Sequence, residues 1–72
     1  MVEAAATIRV NGETRSIPTG YSLSALLRDL EIDPRMIVVE RNREILRDRN
    51  VFDEVTLLDS DVLELVHFVG GG

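Results

Sequence analysis

Alternating apolar and polar residues near the start of the chain predict two strands joined by a tight turn. Ile8 and Val10 alternate with polar neighbours, and Ile17 continues the apolar face on the returning strand. Between them, Asn11-Gly12 supplies the two residue types that best accept the positive φ angles of a type I′ turn. The segment TIRVNGETRSI is therefore predicted to form a β-hairpin.

The next segment, SLSALLRDLEI, has the period of a helix. Its four leucines fall at positions i, i+3, i+4 and i+7 and so share one face of a helix: Leu23, Leu26, Leu27 and Leu30. Ser22 precedes them and can cap the helix, because its hydroxyl can accept a hydrogen bond from a free amide of the first turn. Asp33-Pro34 is predicted to end the helix, since a residue before proline avoids helical conformation.

The second half of the chain contains further predicted strands. The apolar run MIVVE, residues 36–40, lies between chain-breaking residues and is predicted to be a buried strand, and REIL, residues 43–46, can add a short one. Residues 47–57 have no clear period and are predicted to form a loop with room for one helical turn. After a turn at residues 58–61, VLELVHFV at 62–69 alternates in polarity and is the strongest strand pattern of the chain.

This order of elements, β-β-α-β-β-β, predicts an α+β fold. A hairpin followed by a crossing helix and further strands gives a mixed sheet with one helix packed on one face. That is the ubiquitin-like β-grasp arrangement, and a chain of 72 residues has a suitable length for it. We expect residues 1–72 to form a single β-grasp domain that ends in a flexible tail at 70–72.

In such a fold the helix covers only one face of the sheet, so the two faces of the last strand differ. Leu63 and Leu65 have the same parity and are expected to face the helix. Val66 and Phe68 are then left on the uncovered face. Because apolar residues exposed near a chain end can mark a docking site, these two are candidate partner-binding residues.

Charge and composition narrow the possible functions. The chain contains no cysteine, which excludes disulfides and thiolate chemistry. The net charge of −5 makes nucleic acid an unsuitable partner, because phosphate binding requires basic groups. No apolar run approaches the length of a membrane span, and Met1 is followed by acidic and small residues rather than by a secretory signal, so we expect a cytoplasmic protein that does not bind membranes.

The candidate catalytic side chains are few. Asp59 and Asp61 could form a carboxylate pair, but aspartates before a strand are common in turns and further oxygen ligands are missing, so no metal site is expected. His67 is the sole histidine and is expected to be structural or solvated. A chain this short also has few residues with which to line an enclosed active site.

The chain ends in VHFVGGG, a strand followed directly by three glycines. Glycine has the greatest backbone freedom of any residue. One interpretation is an inert, loose terminus. The other is that the terminal carboxylate is presented to a second protein, which can capture such an end through its main-chain groups.

Over essentially its whole length the chain resembles the ThiS family, the sulfur carriers of thiamine (thiazole) biosynthesis. The matching stretches are IRVNGE at 8–13, SLSALLRDL at 22–30, VVERNREI at 38–45 and DSDVLELVHFVGGG at 59–72. Their order and spacing, together with the terminal glycines, make the resemblance specific. The chain departs from the family pattern at Ser60, where glycine is usual, and at ILRD, residues 45–48, where Ile-Val-Pro-Arg is common.

The resemblance implies that the carboxylate of Gly72 is the reacting group, with Gly70 and Gly71 presenting it to partner enzymes. An E1-like enzyme would use ATP to adenylate this carboxylate. Sulfur supplied by a cysteine desulfurase system would displace AMP and leave a thiocarboxylate, from which thiazole synthase would take the sulfur. The protein would then be a co-substrate rather than an enzyme, with no bound cofactor and no partner subunit when free.

Two other functions fit the same pattern. The small subunit of molybdopterin synthase shares the fold and the Gly-Gly end but usually has a longer helix and loop region. A ubiquitin-like protein modifier is the other alternative. The absence of lysine excludes self-linked chains through lysine, although it does not exclude single attachments to other proteins.

Overall fold

A computed structural model describes residues 5–68 of the chain. These residues form a sheet, one α-helix and two short 3₁₀ helices. The strands are β1 (Ala5–Val10), β2 (Glu13–Pro18), β3 (Ile37–Arg41), β4 (Glu44–Leu46) and β5 (Val62–His67). The helices are α1 (Leu23–Asp29), a first 3₁₀ helix (Pro34–Met36) and a second 3₁₀ helix (Arg49–Glu54).

The strand order across the sheet is β2-β1-β5-β3-β4. The central pair, β1 and β5, runs parallel, whereas β1–β2, β3–β4 and β3–β5 are antiparallel. This is the predicted mixed sheet with one helix. The last described strand, β5, therefore lies in the middle of the sheet and is paired on both sides.

The hairpin has the predicted geometry. Asn11 and Gly12 both have positive φ angles, 49° and 84°, as a type I′ turn requires. Ile8, Val10 and Ile17 are buried beneath the helix. The alternation of side chains along the two strands therefore places the apolar face as the sequence indicates.

The start of α1 was predicted correctly, but its end was not. The Oγ atom of Ser22 accepts a hydrogen bond from the amide of Ala25 at 3.0 Å, so the predicted cap is confirmed. The helix ends at Asp29, before the Asp33-Pro34 pair. Glu31 adopts a left-handed φ of 57°, and its amide and that of Ile32 donate back to carbonyls of the last turn. This is a Schellman motif, in which a left-handed residue, usually glycine, ends the helix.

Asp33 and Pro34 have a different role from the predicted one. The Asp33 carboxylate accepts a hydrogen bond from the amide of Arg35 at 2.9 Å and caps the first 3₁₀ helix. As a result Met36 lies in that helix and is half-exposed, so the third strand begins one residue later than predicted.

The core lies between α1 and one face of the sheet. Its buried residues come from every strand except β4, from α1, and from the segment 49–57: Ala6, Ile8, Val10, Ile17, Leu23, Leu26, Leu27, Ile37, Val39, Phe52, Leu57, Leu63 and Leu65. The stretch 47–57 does contain a helical turn. Its contribution of Phe52 to the core was not predicted, because a single buried residue in a 3₁₀ helix produces no detectable period.

Candidate functional site: the open sheet face and the end of β5

On the sheet face opposite α1, the described side chains of β3 and β5 are exposed or partly exposed, and we call it the open face. On β5, Leu63 and Leu65 are buried, whereas Val66 is 58% exposed and Phe68, just beyond the strand, is 49% exposed. The predicted assignment of the two faces is therefore confirmed. That Val66 and Phe68 bind a partner remains a prediction.

Strand register determines which side chains lie beside these two residues. Val66 is the cross-strand partner of Val38 on β3, and Glu64 is the partner of Glu40. Glu40 in turn pairs with Ile45 of β4, which is also exposed. Since cross-strand partners share a sheet face, the open face has an apolar end near Phe68 and carboxylates next to it.

The end of β5 is fixed to the rest of the fold at Phe68. Its amide donates a hydrogen bond to the carbonyl of Met36 at 2.9 Å. The predicted reacting and presenting residues, Gly70, Gly71 and Gly72, lie outside the described residues. Four residues follow Phe68, and an extended chain of that length spans about 13 Å at most. The structure thus defines the position of Phe68, four residues before the terminal carboxylate.

The position of β5 depends on a side chain whose role was not predicted. Beyond the end of β1, Asn11 takes over the pairing with β5: its Oδ1 accepts from the amide of Leu65 at 2.7 Å, and its Nδ2 donates to the carbonyl of Leu65 at 3.2 Å. Asn11 was interpreted only as a turn residue. The side-chain carboxamide of asparagine carries one acceptor and one donor group, as the backbone of a strand does. This chemistry is the feature of the sequence that could have indicated the role of Asn11.

Asp59 and Asp61 are both used in the turn before β5, as the sequence predicted. Asp59 accepts a hydrogen bond from the amide of Thr7 at 2.7 Å. Asp61 is buried and forms an ion pair with Arg41 at 2.8 Å. Within residues 5–68, no group of three or more acidic or histidine side chains is placed to hold a metal ion.

The carboxyl of Asp61 is held in its charged form. Burial raises its pKa, but hydrogen bonds from the Leu58 amide, the Asn42 side chain and the Arg41 guanidinium outweigh that effect. The pKa of Asp61 therefore lies below its usual range. These contacts connect the turn before β5 to β3 and the residue that follows it.

Two further expectations concern His67 and membrane-spanning segments. His67, which the sequence predicted to be structural or solvated, is exposed at the end of β5, where it pairs with Ile37. In the part of the chain that the structure describes, no helix is long and apolar enough to cross a membrane.

Comparison with known proteins identifies the family. The ThiS family model matches residues 8–72. The sulfur carrier protein ThiS of Bacillus subtilis is 43% identical over 51 residues, which are 71% of this chain and 76% of that protein. A thiazole synthase of Paramagnetospirillum magneticum is 41% identical over 63 residues, but this chain spans only 19% of its length.

A solved structure is also similar. The thiamine biosynthesis protein ThiS of Geobacter metallireducens superposes with a TM-score of 0.77 and 32% identity, covering 92% of this chain and 99% of that one. The similarity thus extends over the β-grasp fold as a whole as well as over the sequence. This chain belongs to the ThiS family.

Proposed function

We propose that the protein is a sulfur carrier of thiamine biosynthesis and that the carboxylate of Gly72 carries the sulfur. The observation that supports this most strongly is the extent of the family match, which continues through the terminal glycines to residue 72. The chain is then a co-substrate of other enzymes in the cytoplasm, and ATP is consumed by its activating enzyme.

The chemistry requires activation of the carboxylate. A terminal carboxyl group has an ordinary pKa of about 3.5, so at neutral pH it is an anion that resists nucleophiles. Attack of a carboxylate oxygen on the α-phosphate of ATP releases pyrophosphate and forms an acyl adenylate. The outer sulfur of an enzyme-bound persulfide then attacks the carbonyl carbon and displaces AMP, which links the carrier to that enzyme through an acyl disulfide. A second thiol attacks the enzyme's cysteine sulfur in this link, so that a disulfide forms between the two thiols and the thiocarboxylate is released.

The open face provides the docking surface in this proposal. Val66 and Phe68 lie on the exposed apolar end of the sheet, a few residues before the reacting carboxylate. An activating enzyme and a thiazole synthase that bind this end would receive Gly72 within about 13 Å of the anchored residue 68. Two relatives are named thiazole synthase, so a segment similar to this chain occurs within proteins of that name, which supports the second partner.

Deletion of Gly72 tests the proposal. The deletion moves the carboxylate back by about 3.5 Å, and a misplacement of even 1 Å can cost about 100-fold in rate. We expect ATP–pyrophosphate exchange by the activating enzyme to be lost. The free energy of unfolding, measured by thermal melts, should stay within about 0.5 kcal/mol of the wild type. Deletion of Val2, near the other end of the chain, is the control and should leave exchange intact. Exchange that persists without Gly72 would show that this residue is not the reacting end.

A further inference from the structure

Phe68 is covered on one side by an arginine that the proposed function does not use. The Cζ atom of Arg49 lies 5.8 Å from the centroid of the Phe68 ring, within the range of a cation–π interaction. Phe68 as a whole residue is 49% exposed, so it remains partly accessible beside the arginine. The last described residue is therefore held by its side chain as well as by its amide.

Arg49 is itself fixed in position. Its Nε atom donates to the carbonyl of Pro34 at 2.9 Å, and an Nη atom donates to the carbonyl of Ile37 at 3.1 Å. It begins the second 3₁₀ helix, which is anchored in the core by the buried Phe52. The guanidinium thus joins this helix, the start of β3 and the end of β5.

We propose that Arg49 is a positioning residue for the carrier reaction: it holds the Phe68 ring and thereby fixes the position of the last described residue, four residues before the carboxylate of Gly72. The proposal rests on the proposed function and names a residue that prepares the same site. Only an arginine can donate from a planar fork to two carbonyls and still lie over a ring, so lysine is not an equivalent replacement.

The physical effect is preorganisation. Strand ends fray unless they are tied down, and a frayed Phe68 would begin the tail at varying positions and angles. When only part of a population is competent to bind, the apparent affinity falls by that fraction. Loss of the Arg49 contact should therefore weaken productive docking and leave the rate at saturation nearly unchanged.

The first test uses the free protein and does not depend on any partner. Hydrogen exchange is measured by NMR at the Phe68 amide, with the Leu63 amide in the centre of β5 as the internal reference. In Arg49→Met we expect at least threefold faster exchange at Phe68 relative to Leu63, and in Arg49→Lys an intermediate effect. Arg15→Met removes the same charge from the edge strand β2 and should change neither amide. Unchanged relative exchange at Phe68 in Arg49→Met would overturn the proposal.

The second test measures adenylation as a function of carrier concentration. We expect Arg49→Met to raise KM about three- to tenfold, the cost of ordering one side chain, with kcat retained. Because Arg49 acts through the Phe68 ring, the same substitution should have no further effect on KM in a Phe68→Leu background. An equal rise in KM in both backgrounds would mean that Arg49 contacts the enzyme directly, and the positioning role would be wrong. If the wild type is not adenylated at all, the proposed function fails, while the exchange measurement still decides whether Arg49 holds Phe68.

Discussion

Several residues other than glycine adopt positive φ angles, which asparagine accepts more readily than the other residue types among them. Outside glycine, positive φ angles occur in the described part of the chain at Asn11, Glu31, Asn42, Arg43 and Ser60. Ser60, at 73°, is where the family pattern usually has glycine. The turn nevertheless forms, and the Ser60 amide donates to the carbonyl of Thr7 at 2.7 Å. Serine therefore occupies a left-handed position here, which costs more energy for a residue with a Cβ than for glycine.

Ser60→Gly should stabilise the protein. A left-handed conformation costs a residue with a Cβ about 1–2 kcal/mol, and the greater freedom of glycine in the unfolded chain offsets about 0.5–1 kcal/mol of that. We expect a net gain of about 0.5–1 kcal/mol in the free energy of unfolding, measured by denaturant titration. Ser16→Gly, in the middle of β2, is the matched control and should destabilise by about 0.5–1 kcal/mol. A loss of stability in Ser60→Gly would contradict this account of the turn.

The buried Asp61 predicts a dependence of stability on pH. Because its pKa is lowered in the folded state, its contribution is complete above the ordinary aspartate value of about 3.9 and is lost as the pH falls through the folded value. Asp61→Asn removes the ion pair with Arg41 and should cost about 1.5–3 kcal/mol at pH 7.

The measurement is the free energy of unfolding from pH 7 into the acid range. The difference between the wild type and Asp61→Asn should shrink as the pH falls below about 3.9, since the wild-type carboxyl then becomes protonated. Asp53→Asn, an exposed change on the second 3₁₀ helix, should stay within about 0.5 kcal/mol of the wild type. A difference for Asp61→Asn that is the same at every pH would contradict the charged network.

Among the strands and helices, β5 connects the fold to its proposed function. It is paired on both sides, with β1 and the Asn11 side chain on one and with β3 on the other. The alternating directions of the side chains along β5 determine which residues face the core and which lie on the open face. A one-residue change of register would exchange the two sets, so burial of Leu63 and Leu65 also determines the exposure of Val66.

Phe68→Ala separates docking from folding. Since the ring is half-exposed and contacts Arg49, its loss should cost the fold about 1 kcal/mol. Binding to the activating enzyme should weaken by about 2 kcal/mol or more if the ring is an interface anchor. The control is Leu58→Ala, an exposed apolar residue outside the sheet, which should leave binding unchanged. A stability loss of about 3–5 kcal/mol without a loss of affinity would assign Phe68 to the core instead.

Features that follow from the residue types or spacing of a short segment could be predicted from the sequence. The hairpin turn at Asn11-Gly12, the Ser22 cap and the two faces of β5 each follow from a local rule about residue type or spacing. The end of α1 could not be predicted in this way. It depends on a left-handed residue that is usually glycine, and in this chain that residue is Glu31.

The contacts around the candidate site depend on residues far apart in the chain. Asn11 pairs with Leu65, and Arg49 lies over Phe68, although no spacing rule connects either pair. Such contacts become visible only once the strand order is known. The family resemblance, by contrast, indicated Gly72 without any structure, because it depends on the order of the motifs and on the glycines that end the chain.

For the chain as a whole, the proposed chemistry takes place at one group. The fold is small, carries a net charge of −5 and contains no cysteine. In residues 5–68 the buried carboxylate, Asp61, serves the turn before β5. The reacting group of the proposed function is then the carboxylate of Gly72, and the domain holds and presents it.

The most direct test of this claim is the intact mass of the protein after incubation with its activating enzyme, ATP and a sulfur donor. We expect the mass to shift by the replacement of one oxygen with one sulfur, and fragmentation should locate the change on Gly72. The protein lacking Gly72 should show no shift under the same conditions. An unchanged wild-type mass, in a reaction where the ThiS of Bacillus subtilis is converted, would contradict the claim that this chain carries sulfur on its C-terminus.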